Sequence, residues 1–126
     1  MANRQPAPIY LNLLRIRFPV GAVTSIAHRI SGVLMFVALP LLVYLLGLSL
    51  QSQQGFERAL DYLNCGWIRL ASALILWSVF HHLLSGVRFL FIDTGRGVSH
   101  RAARRSAWLV NIAGLLLTLA YLWWLL

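Results

Sequence analysis

The chain has 126 residues, 60% of them hydrophobic and only 11% charged, with a net charge of +8 and a mean hydropathy of +0.74. A water-soluble domain carries roughly a quarter of its residues as charges, so a soluble globular fold is excluded. Long uncharged stretches alternate with short, highly charged ones, the pattern of bilayer-spanning helices joined by polar loops.

The basic residues are all arginine and gather at the ends of the apolar runs. The excess charge therefore reads as membrane topology and contact with anionic headgroups, and no nucleic-acid partner is expected. The lone Cys65 has no partner for an intrachain disulfide and reads as a small helix-end residue. No cleavable signal peptide is expected, because a long Arg-bearing segment precedes a first apolar run that is itself long enough to span.

Residues 1–20 are a polar, proline-punctuated lead. Apolar positions from Ile9 to Phe18 flank Arg15 and Arg17, which suits a segment lying along the membrane interface, with a disordered tail as the competing reading. Pro19 ends it.

The first span is expected over about 22–50. Its core from Val33 to Leu50 carries no charge, and roughly 20 apolar residues cover a hydrocarbon layer about 30 Å thick. Pro40 should kink this helix without ending it. Gln51 to Gly55 lead out of it. The second span is expected over about 66–92, with Arg69 near its start and His81, His82 and Arg88 towards its end. A loop from Asp93 to Arg105 follows. The third span is expected over about 107–126, apolar apart from Asn111 and Thr118, with Tyr121, Trp123 and Trp124 as an interfacial belt.

Arginines near the helix ends set the orientation. Arg4, Arg15, Arg17 and Arg29 precede or open the first span, and Arg96, Arg101, Arg104 and Arg105 fill the loop before the third. The 51–66 connection has only Arg58, offset by Glu57 and Asp61. Three spans put both Arg-rich segments on one side, which is therefore cytoplasmic or matrix, with the C-terminus opposite. The expected fold is an all-α membrane protein with three transmembrane helices, a single membrane domain over 1–126.

Two constellations carry chemistry. Ser25, His28, Arg29 and Gly32 fall at i, i+3, i+4 and i+7, one stripe at the mouth of the first span. A hydroxyl, an imidazole, a fixed cation and a glycine there can bind a carbonyl or carboxylate at headgroup level. A snorkelling arginine beside an interfacial histidine gives the same pattern.

The second constellation is His81-His82 with Ser85, Gly86 and Arg88. Histidines inside an apolar helix are costly and mark functional positions by default. Successive residues point about 100° apart on a helix, so the two cannot ligate one metal together. His82 has Ser85 and Gly86 at i+3 and i+4, a small open patch of the kind a large planar cofactor needs, whereas His81 has Leu84 and Ser85. Haem ligation and hydrogen bonding to a neighbouring helix both remain open on this chemistry. Hydrolytic catalysis finds no support. The three carboxylates lie outside the spans, and zinc, phosphate-loop and nucleophile-elbow motifs are missing.

Arg15-Ile-Arg-Phe-Pro19, Ser25-Ile-Ala-His-Arg-Ile-Ser-Gly32 and His82-Leu-Leu-Ser-Gly-Val-Arg88 with Asp93 resemble the large cytochrome b membrane anchor of succinate dehydrogenase, respiratory complex II. That family shows Ser-Ile-x-His-Arg-x-(Ser/Thr)-Gly at its first span and His-x-x-x-Gly-x-Arg-His near the end of its second, followed by Asp. The order and spacing of the motifs extend the resemblance over nearly the whole chain, the third span adding hydropathy alone.

The resemblance implies a non-autonomous subunit of a succinate:quinone oxidoreductase in a bacterial or mitochondrial inner membrane. It would form part of a heteromeric helical bundle with a small membrane anchor, sharing haem b, and dock an iron–sulfur subunit and a flavoprotein. By the same resemblance His82 is a haem axial ligand, the other coming from the small anchor. Ser25 and Arg29 line the ubiquinone site, and His28 and Arg29 lie near the haem propionates. A fumarate reductase anchor and a haem-free membrane scaffold are the alternatives. The family's His after the second-motif arginine is Phe89 here, which removes a neighbour of the propionates, and His81 acquires no role.

Overall fold

A computed structural model describes residues 17–125, with the side chains of Trp124 and Leu125 outside the description. The interfacial segment expected from the sequence falls mostly outside the described residues. Four helices follow one another: α1 (Val20–Gln51), α2 (Gln53–Asn64), α3 (Gly66–Asp93) and α4 (His100–Leu125). Of these, α1, α3 and α4 are long and apolar enough to cross a membrane.

The first span is one unbroken helix through Pro40. The connection after it is not a plain loop, as the sequence suggested, but the amphipathic helix α2. Ser52 accepts a hydrogen bond from the Gly55 N–H at 3.0 Å, an N-cap, and Gln53 donates to Glu57 at 3.1 Å one turn on. Gly55 and Ala59 form its buried face. The space for a Cβ at Gly55 is taken by the Leu48 carbonyl, so only glycine lets α2 fold back on the last turns of α1.

α3 begins after the exposed Cys65, matching the expected helix-end role. It stops where Gly95 (φ 79°) and Gly97 (φ 69°) take left-handed conformations that L side chains resist, with the Gly95 and Arg96 amides turning back to Ile92 and Phe91.

The third span also differs from expectation. Its helix starts at His100 rather than near 107, so Arg101, Arg104 and Arg105 lie on its first turns. Ser99 caps this start by accepting from the Ala102 N–H at 3.4 Å. Arg88 of α3 braces it, donating to the Ala103 carbonyl and the Ser106 hydroxyl, each at 3.0 Å. Arginine and alanine are good helix formers, and no proline or glycine interrupts 100–106.

The described interior of the bundle mixes polar with small apolar side chains, and its outer surface is apolar. Its fully buried larger side chains are His81, Thr24, Ser31, Ser78 and Ser85, while Phe36, Val43, Leu90, Leu109 and Leu116 face outward. Lipid is as apolar as leucine, so membrane helices associate through small residues and shared hydrogen bonds instead.

The buried positions repeat with a period of seven. Thr24, Ser31, Ala38 and Leu45 line α1, and Ser78, His81, Ser85 and Arg88 line α3. The hydroxyls cap themselves on their own helices, Thr24 on the Val20 carbonyl at 3.0 Å, Ser78 on Leu74 and Thr118 on Gly114, both at 2.8 Å. No polar side-chain atom of the described interior is left without a hydrogen bond.

Candidate functional site at the paired histidines

The start of α1, the end of α3 and the start of α4 meet at one end of the bundle. Because α1 and α3 run antiparallel, the two sequence motifs fall side by side. The rings of His28 and His82 stack with centroids 4.0 Å apart and planes 15° from parallel. Each histidine has a glycine four residues on, and each ring uses the glycine of the other helix. A Cβ on Gly32 would lie 3.1 Å from His82 Cε1, and one on Gly86 would lie 3.7 Å from His28 Nε2. The patch beneath His82 that the sequence suggested for a cofactor is thus filled by the imidazole of His28. Ser85, the other member of that patch, is buried against His81.

The hydrogen bonds assign different tautomers to the neighbouring histidines. His82 Nδ1 lies 3.1 Å from the His28 carbonyl, which only accepts, so Nδ1 carries the proton. Ser31 Oγ donates to that same carbonyl at 2.8 Å and sits 3.2 Å from His82 Nδ1. The lone pair of His82 is then on Nε2. A backbone carbonyl holding one ring nitrogen while the other is left for a metal is the usual arrangement of a ligating histidine.

His81 is arranged the opposite way. Its ring is 1% exposed. Nε2 donates to Asn111 Oδ1 of α4 at 3.0 Å, and Nδ1 accepts from Ser85 Oγ at 3.3 Å. Trp77 packs on it at 5.1 Å, and the backbone of Gly114 passes within contact distance. Thr24 of α1 donates to the same Asn111 oxygen at 3.2 Å. His81 therefore joins α3 to α4, and through Asn111 to α1, with both nitrogens occupied.

Sequence reasoning missed this Thr24–Asn111–His81–Ser85 network. The signal was present in the seven-residue spacing of Ser78, Ser85 and of His81, Arg88, which marks the buried seam of α3.

Ser25 is half-buried and Arg29 exposed, one turn apart on α1. They lie outside the buried seam of Thr24 and Ser31. Phe89 meets His28 edge-on at 5.3 Å, and the Arg88 guanidinium lies 5.3 Å from the Phe89 ring centre. The residue that departs from the family pattern thus packs against the stacked pair.

The sequence profile for the succinate dehydrogenase/fumarate reductase transmembrane subunit matches residues 3–121. A succinate dehydrogenase cytochrome b556 subunit of Coxiella burnetii is 36% identical over 118 residues, covering 92% of this chain and 94% of its own. Its counterpart in Rickettsia felis is 31% identical over 117 residues, covering 93% and 90%. That of Paracoccus denitrificans is 31% identical over 106 residues, covering 83% and 81%. With three apolar helices long enough to span a bilayer and matches running nearly end to end, the chain is an integral membrane protein that belongs to the succinate dehydrogenase/fumarate reductase transmembrane subunit family.

Proposed function

We propose that this chain is the large membrane anchor of a succinate:ubiquinone oxidoreductase, that it contributes one axial ligand to a haem b shared with a small anchor subunit, and that it forms half of a quinone site. The names of the relatives, succinate dehydrogenase cytochrome b556 subunits, favour succinate dehydrogenase over a fumarate reductase anchor and a cytochrome over a bare scaffold.

The observation that carries the reading is the tautomer of His82. Its Nδ1–H is held by the His28 carbonyl, which orients the ring and leaves the lone pair on Nε2, the atom an iron would take. With the His28 ring stacked on that of His82 at 4.0 Å, His82 would hold the iron for this chain and the small anchor would supply the other ligand. When bound, haem b supplies a one-electron redox centre.

Ser25 and Arg29 supply a hydroxyl and a fixed cation for the quinone oxygens at the outward face of α1. His28 and Arg29 are the groups of this chain offered to the haem propionates. The Arg-rich helix ends support a cytoplasmic or matrix orientation for this end of the bundle, and on this reading the iron–sulfur and flavoprotein subunits dock there and electrons from succinate reach ubiquinone at the membrane surface.

A dithionite-reduced minus oxidised optical spectrum of the complex purified through this chain tests the assignment. A sharp b-type α-band that disappears in His82→Ala is expected. An intact complex without the band, or a band that survives His82→Ala, overturns it.

A further inference from the structure

A second cleft lies at the same end of the bundle but on the other side of α3. Its volume is about 690 Å³, and it opens between the start of α1 and the start of α4. Phe18, Pro19 and Val20 supply one apolar wall and Trp108 another, with Arg88, His100 and Arg104 among them. Arg88 follows His81 by seven residues and so shares its face, not that of His82. The cleft is distinct from the stacked histidines, and neither Ser25 nor Arg29 lines it.

Its charge is unbalanced. Arg88 is only 8% exposed, and its hydrogen bonds go to two neutral oxygens, from Nε and Nη2. Nη1, which is not an enclosed atom, has no hydrogen bond to another described residue. Arg104 and His100 stand above it on the first turns of α4, beside Arg101 and Arg105. A helix start favours negative charge, yet this one has no acidic residue in its first turn. A shallower depression lined by Arg101, Arg104, Arg105 and Trp108 adjoins it.

We propose that this cleft binds an anionic phospholipid, its phosphate held by Arg88, His100 and Arg104 and an acyl chain lying against Val20 and Trp108. A buried guanidinium and a basic helix start call for an anion, and an aromatic-walled apolar cleft at the mouth of membrane-spanning helices calls for one with a hydrocarbon tail. Residues 1–16 of this chain do not supply it, since they contain Arg4 and Arg15 and no acidic residue.

The test is native mass spectrometry of the delipidated whole complex, with phosphatidylglycerol or phosphatidylcholine added back. Phosphatidylglycerol should be retained preferentially. Arg104→Gln, an exposed change that does not threaten folding, should lower its occupancy about fivefold, the factor set by about 1 kcal/mol per basic residue at a membrane surface. Arg88→Lys, which keeps the charge, should retain most of it, and excess inorganic phosphate should not displace the lipid.

Four results overturn the proposal. These are equal retention of the two lipids, an Arg104→Gln variant that binds as before, displacement by inorganic phosphate, and Arg104→Gln releasing the iron–sulfur subunit while lipid stays bound. The last would assign the cleft to a protein carboxylate. The readout is lipid occupancy, so it stands or falls separately from haem and quinone binding.

Discussion

Replacing His81 by alanine removes a side chain to which the sequence assigned no role. The change deletes the 3.0 Å bond to Asn111, the 3.3 Å bond to Ser85 and the tilted packing on Trp77. Interhelical hydrogen bonds in membrane proteins average about 0.6 kcal/mol, and an aromatic pair adds about 0.5–1.5 kcal/mol. Asn111 Oδ1 keeps the Thr24 hydroxyl within 3.2 Å, which can turn its one proton from the Val20 carbonyl to Asn111, and this limits the cost of the lost donor. The expected destabilisation is about 2 kcal/mol, a factor of roughly 30 in the folding equilibrium.

Titration of the complex with a denaturing detergent, followed by tryptophan fluorescence, reads this loss. The reduced-minus-oxidised spectrum reads the haem on the same samples. His81→Ala should unfold earlier yet keep its α-band, His81→Gln should recover part of the stability by restoring a donor to Asn111, and His82→Ala should lose the band. An intact His81→Ala complex with unchanged stability and no α-band would refute the assignment and exchange the two roles.

Three further substitutions probe separate parts of the structure. Ser25→Ala and Arg29→Ala should depress succinate-driven quinone reduction severalfold while sparing succinate oxidation by an artificial acceptor, and unchanged quinone turnover in both would sink the quinone assignment. Gly32→Ala puts a methyl 3.1 Å from His82 Cε1. It should push the ring off the His28 carbonyl, costing about 0.5–1.5 kcal/mol and shifting the haem midpoint potential, whereas an unshifted potential would show that this clamp does not tune the ligand. Gly55→Ala meets the Leu48 carbonyl and should detach α2 from α1, read as faster proteolysis at 53–64 with the spectrum intact.

The spans were legible because a bilayer imposes length and apolarity directly on the sequence. Their faces were not. In a soluble helix the apolar stripe marks the core, but here the core positions are Thr24, Ser31, Ser78 and Ser85, small polar residues that hydropathy reads as interruptions. The start of α4 was placed late for a related reason. Arg101, Arg104 and Arg105 look like a loop to a hydropathy scale, while their helix is fixed by the Ser99 cap and by Arg88 reaching across from α3. In the sequence, α2 reads only as an exit from the first span, because its stability rests on the approach of Gly55 to Leu48, which is a tertiary contact.

The two histidine motifs were legible singly, and their meaning comes from the pairing. His28-x-x-x-Gly32 and His82-x-x-x-Gly86 are the same spacing on antiparallel helices, so each histidine meets the other helix's glycine at its own depth. Deeper in the bundle Gly32 receives His82, and nearer the surface Gly86 receives His28. A glycine four residues after a histidine looks, in one helix alone, like room for a cofactor. In two antiparallel helices it is room for the partner's ring. The lock also couples the proposed sites. The His28 carbonyl that fixes His82 belongs to the same turn of α1 as Ser25 and Arg29. A quinone that draws on those residues therefore acts on a helix segment that already orients the proposed haem ligand. Ser31→Ala probes that coupling, since it removes a hydroxyl shared by the His28 carbonyl and His82 Nδ1 while leaving the side chains of Ser25, Arg29 and His82 themselves in place.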